Sequence, residues 1–155
     1  MAGRIDTRLA ELKIELPKAA APAANYVPWV ISGKTLYIAG QVPFWNGELK
    51  FVGRVGEGMT LEQGQQSART CALNLIAQAK AACAGDLDRI QRVIKLTGYV
   101  NCVASFTDQP KVINGASDLM VQVFGDAGKH ARVAVGVNVL PLGVTTEVDA
   151  IMELM

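Results

Sequence analysis

The segment Ala131–Val148 holds the residues best suited to chemistry. Arg132 and Glu147 are ionised, and nothing between them carries a charge. Arg132, Ala134, Gly136 and Asn138 share one side of a strand, and Val133, Val135, Val137 and Val139 share the other. The valine side is expected to be core. A guanidinium flanked by alanine and glycine has room beside it, and its planar fork suits a carboxylate. Two uses fit this pattern. One is an arginine paired with an acid at a surface or interface. The other is an arginine binding a ligand carboxylate at the rim of a pocket. Glu147 is equally two-sided. In a hairpin closed through Leu140–Gly143 it would pair with Arg132 across strands, or hold a water and pass protons.

Tyr26 precedes the first strand, close to Trp29, and suits either a small-molecule pocket or the core. Gly40, followed by Gln41, suits either a bulge or the close approach of a ligand. The other reactive residue types lack partners in the sequence. The three cysteines, Cys71, Cys83 and Cys102, form no Cys-x-x-Cys pair, and His130 is the only histidine. Four closely spaced zinc ligands are therefore not available, and no metal is expected. His130 has no serine or cysteine partner at a recognisable spacing and reads as a loop or interface histidine. Cys102 reads as a buried, inert thiol. Gly53, Gly56 and Gly58 are not followed by Gly-Lys-Ser/Thr, so they form no phosphate loop.

These residues need a scaffold, and its elements can be read from periodicity. Ile5, Leu9, Leu12 and Leu16 lie on one helical face, with Asp6 as N-cap, Pro17 as terminator and a linker at Ala19–Ala24. Val27–Ser32 and Thr35–Gly40 form a hairpin around Gly33-Lys34. The Asn46-Gly47 turn leads to a short strand at Glu48–Val52. Thr60 and Gln63 make a capping box for a helix running to about Ala84, closed by Gly85. Val93–Val103 is a long strand. Asp108-Gln109-Pro110 opens a third helix, whose apolar stripe ends at Gly125. Strands at Ala131–Val139 and Thr146–Glu153 complete the chain. This mixture of hairpins and helices predicts an α+β sheet with helices on one face.

Composition narrows the function. A chain of 155 residues suits one domain, here with residues 1–25 as an N-terminal helix and linker before a domain at 26–155. Half the residues are hydrophobic and 19% are charged, which excludes a disordered chain and points to oligomerisation. A net charge of +1 with no basic cluster gives no footprint for nucleic acid. No stretch reaches the roughly 18 uncharged apolar residues of a membrane span, and the first residues lack a leader's apolar stretch. A reducing cytoplasm is the expected compartment.

Two stretches carry a family signature. Ile38-Ala39-Gly40-Gln41-Val42-Pro43 resembles the S-G-Q-x-P motif of the RidA/YjgF family, formerly called L-PSP endoribonucleases or translation inhibitors. His130-Ala131-Arg132-Val133-Ala134-Val135, then Leu140-Pro141 and Glu147-Val148-Asp149, resembles its C-terminal signature. The match runs from Tyr26 to Glu153, and the longer N-terminal segment suggests a longer-chain subgroup. The resemblance implies a chorismate-mutase-like fold, a homotrimer around a central barrel and clefts between subunits. It implies hydrolysis of 2-aminoacrylate-type enamines and imines to 2-keto acids and ammonia without a cofactor. A non-catalytic binder of carboxylate metabolites is the alternative. By the same resemblance, Arg132 holds the substrate carboxylate and Glu147 stands near the attacking water. Tyr26 and Gly40 line the cleft, and Ala134 takes the place of a frequent cysteine. Ala39 replaces the usual serine. Ser117 or Asn114 is the nearest match to an asparagine of the third helix. Arg132 and Glu147 are expected from one chain, with Tyr26 or the region of Phe124 from the next.

Overall fold

The computed structural model describes residues 2–22 and 24–155. In chain order it contains α1 (Arg4–Glu11), β1 (Trp29–Ser32), β2 (Thr35–Gln41), β3 (Phe44–Trp45), β4 (Glu48–Leu49), β5 (Arg54–Val55), β6 (Gly58–Met59), α2 (Leu61–Ala82), β7 (Ile90–Asn101), α3 (Gln109–Phe124), β8 (Ala131–Val137) and β9 (Thr146–Leu154). The long strands pair in the order β1-β2-β9-β7-β8, with β7 and β8 parallel and the other neighbours antiparallel. This is the expected α+β class, with α2 and α3 on one face of a mixed sheet. The hairpin through Gly33-Lys34 forms with Ser32 opposite Thr35. Asn46 and Gly47, both at positive φ, turn β3 into β4.

The helices form where their signals lie. The Thr60 side chain accepts from the Gln63 amide while Gln63 caps the Thr60 N–H, so the capping box starts α2. Leu75, Ile76 and Ala79 of α2 and Val112, Ala116, Leu119 and Met120 of α3 are buried in the core beneath the sheet. The two helices cross closely at Gly115, where a Cβ would run into the Gln65 carbonyl.

Four expectations need correction. First, Asp6 does not cap α1. Gly3 holds that position without a side-chain bond, and the Asp88 carboxylate accepts from the Arg4 and Ile5 amides at 2.7 and 2.8 Å. These bonds hold the Asp88 carboxyl below its ordinary range. Asp6 instead pairs with Lys80 at 2.9 Å.

Second, α1 stops at Glu11 rather than at Pro17, and Lys13 takes a left-handed turn with φ 55°. Ile14 and Leu16 then pack on the core from an extended segment, where every second residue shares a side.

Third, β8 and β9 do not form a hairpin, because β7 lies between them.

Fourth, the valine side of β8 is not core. Val133 and Val135 are each 41% exposed on the sheet face away from the helices, while Arg132 and Ala134 face α3. Alternation says which residues share a side but not which side the helices cover. The small residues mark that side: a Cβ at Gly136 would come within 2.9 Å of both Gln109 Nε2 and Cys102 Sγ.

Candidate functional site

The strand order divides the expected site residues into two groups. The first lies on the open face of the sheet. Between Ile38 and Gln41, β2 carries a bulge against β9, with Ile38 opposite Ala150 and Gln41 opposite Val148. The bulge sets Gly40 over Glu147, where a Cβ would run into the Glu147 carboxylate. Glu147, Gly40 and Tyr26 line one cavity of about 300 Å³, with Pro22, Phe44 and Leu142 among its walls. Tyr26 stands at its rim, 53% exposed.

Burial raises the Glu147 carboxyl above its ordinary range, and the charge of Asp149 raises it further. Asp149, two residues along the same face, is also raised by burial, against a hydrogen bond from Thr97 and the charge of Lys95. Tyr99, opposite Glu147 in register, is raised by burial and by these two acids. The cavity therefore combines apolar walls with a carboxyl whose charged form is disfavoured.

The second group lies on the helix side. Arg132 of β8 is in register with Leu96 and, through it, Ala150, both core residues. Its Nη1 donates to Asn114 Oδ1 at 2.8 Å and to Ser117 Oγ at 3.2 Å. No described carboxylate lies within ion-pair distance of Arg132. Ser117 also meets His130 Nε2 at 2.9 Å, and His130 Nδ1 meets the Gly128 carbonyl at 2.6 Å. Ala134 continues this side of β8 and packs partly against the core.

One chain thus brings together Tyr26, Gly40 and Glu147, and separately Arg132, Ser117 and Asn114. It does not bring Arg132 to Glu147. Two strand spacings and three residues separate their Cα atoms, about 14 Å, and their side chains leave opposite faces. The cross-strand pair is therefore absent, and the expected grouping of Arg132 with Glu147 on one chain is replaced by Tyr26 with Glu147. Phe124 is buried in the core.

The bond from Ser117 to His130 was not legible in the residue spacing. The two stand on α3 and in the loop after it, and only the turn at Gly125–Gly128 returns the chain to Ser117. Asn114, rather than Ser117 alone, shares Arg132. All three thiols are free and buried, and burial pushes Cys71 up to about 12. No described group of three or more His, Cys, Asp or Glu side chains gathers as a metal site would require. No described helix is long and apolar enough to cross a membrane.

A mixed sheet carrying its helices on one face, with Arg132 on the edge strand and the Glu147 carboxyl in a cavity on the open face, makes the chain a two-layer α+β subunit. The family model described as "YjgF/chorismate mutase-like, putative endoribonuclease" matches residues 6–154. The chain belongs to that family.

Among its relatives, Protein TCP17 of Trypanosoma cruzi is 50% identical over 153 residues, covering 98% of this chain and 95% of its own. The solved structure of Atu1372 from Agrobacterium tumefaciens, a protein of unknown function, is 48% identical with a TM-score of 0.91, covering 97% of this chain and 92% of that one. RidA from the Antarctic bacterium Psychrobacter sp. is 27% identical with a TM-score of 0.61, covering 88% of this chain and 94% of that one.

Proposed function

We propose that the protein hydrolyses reactive enamines and imines of the 2-aminoacrylate type to 2-keto acids and ammonia, on clefts formed between the subunits of a homotrimer. The observation that carries this reading is the half-buried guanidinium of Arg132, held by two neutral acceptors and by no described carboxylate. A desolvated cation without a counter-charge is poised for an anionic ligand. Both of these bonds use Nη1, which leaves Nε and Nη2 as a fork for the substrate carboxylate.

Glu147, Tyr26 and Gly40 of a neighbouring copy then supply the rest of the cleft. Water adds to the imine carbon and ammonia leaves. Glu147 takes a proton from that water and passes it to the nitrogen, giving a carbinolamine. It then relays the carbinolamine hydroxyl proton to the same nitrogen as the C–N bond breaks, so both water protons leave with ammonia and the oxygen stays in the 2-keto acid. Its raised pKa brings it closer to the working pH, as such an exchange requires. The exposed valines of β8, with Tyr37 and Val30 on the same open face, support assembly through that face. The free thiols and the charge of +1 suit a cytoplasmic protein that does not bind nucleic acid.

A second reading, a carboxylate-metabolite binder without turnover, draws on Ala134, which leaves no thiol two residues along from Arg132 on the same side of β8. One assay separates the two. 2-Aminoacrylate is generated in place by a pyridoxal-phosphate lyase, and ammonia release is followed with and without the protein. Acceleration that disappears in Arg132→Ala supports hydrolysis. Binding of pyruvate with no acceleration supports the binder.

A further inference from the structure

We propose that His130 is a positioning residue, acting through Ser117 to fix the Arg132 guanidinium for its ligand. The inference rests on the reading of Arg132 as the carboxylate-binding group, but its first test does not.

The hydrogen-bond polarity has one solution for a neutral imidazole. The Gly128 carbonyl can only accept, so His130 Nδ1 carries the proton. Nε2 is then an acceptor and takes the Ser117 hydroxyl proton at 2.9 Å. With its proton committed, Ser117 Oγ turns its lone pairs toward Arg132 Nη1, 3.2 Å away. Asn114 Oδ1 takes the second Nη1 hydrogen at 2.8 Å. Each member of the chain Arg132, Ser117, His130, Gly128 donates to the next, and the direction starts from the Gly128 carbonyl.

Consequences for the guanidinium follow from this order. Nη1 has two hydrogens and both are used. The plane of the group is therefore set from its helix side, and Nε and Nη2 face away from these bonds. Without His130 the Ser117 proton has no fixed acceptor, so the hydroxyl rotates and its lone pairs no longer hold one direction toward Arg132 Nη1, which loosens one of the two anchors. A ligand that needs both fork hydrogens then meets a guanidinium that must be ordered on binding, and the cost appears as lost affinity. A role in ground-state holding predicts a raised KM with little change in kcat.

The direct test uses no ligand. In wild type labelled with ¹⁵N-arginine, the Arg132 side chain, assigned by its loss in Arg132→Lys, should show separate, slowly exchanging Nη1 hydrogens. His130→Leu and Ser117→Ala should merge them. His130→Gln, whose amide oxygen can accept the Ser117 proton, should restore most of the separation.

Pyruvate affinity gives the second arm. His130→Leu should weaken it about three- to tenfold, the range of one neutral hydrogen bond. The double variant with Ser117→Ala should be no weaker than Ser117→Ala alone, because His130 acts only through Ser117. Arginine hydrogens that stay separate in both His130→Leu and Ser117→Ala overturn the proposal. So does a double variant whose losses add. If wild type shows the pinned signature but binds no pyruvate, the ligand reading fails and the positioning stands. A lowered melting temperature in His130→Leu with an unaltered arginine signature assigns His130 to packing and also overturns it.

Discussion

Replacing Gly40 by alanine tests whether the β2 bulge serves the Glu147 carboxylate. Gly40 is not among the positive-φ glycines, so its backbone accepts alanine and only the space above it is at issue. A Cβ there runs into Glu147 Oε1 and lies 3.0 Å from Cδ and 3.2 Å from Cγ. Overpacking of this kind costs about 1–3 kcal/mol. For a chain of this size that lowers the melting temperature by roughly 2–4 °C per kcal/mol. Loss of glycine's unfolded freedom offsets about 0.4–1 kcal/mol, and that offset is the same whatever stands at position 147. The clean measurement is therefore a double-mutant cycle by calorimetry on wild type, Gly40→Ala, Glu147→Ala and the double variant.

If the contact is with the carboxylate, Gly40→Ala should cost little once Glu147 is truncated, leaving a coupling of about 1–3 kcal/mol. Turnover should fall in Gly40→Ala toward the level of Glu147→Ala, because the displaced carboxylate leaves the cavity. Equal destabilisation by Gly40→Ala in both backgrounds would refute the placement of Glu147 beneath the bulge.

Arg132→Ala should weaken pyruvate binding by about one to two powers of ten, from the 1.5–3 kcal/mol of a charge-assisted bond. Arg132→Lys should be nearly as poor because it lacks the fork, and titration calorimetry checks both. Unchanged affinity with a lowered melting point would leave Arg132 a structural residue. Glu147 is raised in the folded chain, so its protonated form favours folding. Its stabilising contribution is full below the ordinary carboxylate range and lost as pH rises through the raised value. Glu147→Gln should thus raise the melting temperature at pH 7 and lose that advantage toward pH 4, and a pH-independent difference would count against a raised carboxyl. Val135→Lys on the open face should dissolve the assembly, so that light scattering falls from about three chains to one chain of 16.5 kDa. A wild type already at one chain would remove the trimer.

The legible parts of the fold were those specified by neighbouring residues. Thr60 with Gln63 marked the start of α2, Gly33-Lys34 and Asn46-Gly47 marked hairpins, and apolar periodicity marked α3. What remained hidden depended on distant partners. Asp88 caps α1 from the far side of α2, and no local pattern announces a cap so remote. The insertion of β7 between β8 and β9 is decided by parallel pairing through α3, which spacing along the chain does not encode. The facing of β8 runs against the apolar character of its valines. Helix packing instead selected the side with alanine and glycine, where α3 approaches closely. The division of the expected site residues between the two faces of the sheet was not legible, since parity on one strand says nothing about which strands adjoin it.

The separation of Arg132 from Glu147 restricts how one cleft can hold both residues. A three-carbon substrate cannot bridge two side chains that stand about 14 Å apart along the sheet and leave it on opposite faces. Either the two residues never serve one ligand, or each cleft draws Arg132 from one subunit and Glu147 from its neighbour. In a cyclic trimer every such cleft joins two chains. Arg132→Ala and Glu147→Gln homotrimers should then be nearly inactive. Dissociated, mixed in equal amounts and reassembled, the chains combine at random. A cleft is intact only when its arginine comes from a Glu147→Gln chain and its glutamate from an Arg132→Ala chain, so about one cleft in four recovers both groups. Ammonia release from 2-aminoacrylate should therefore return to roughly a quarter of the wild-type rate, and mixing without dissociation should return none. If the mixed trimers stay as inactive as their parents while wild-type chains taken through the same treatment regain full activity, the cleft is not shared in this way.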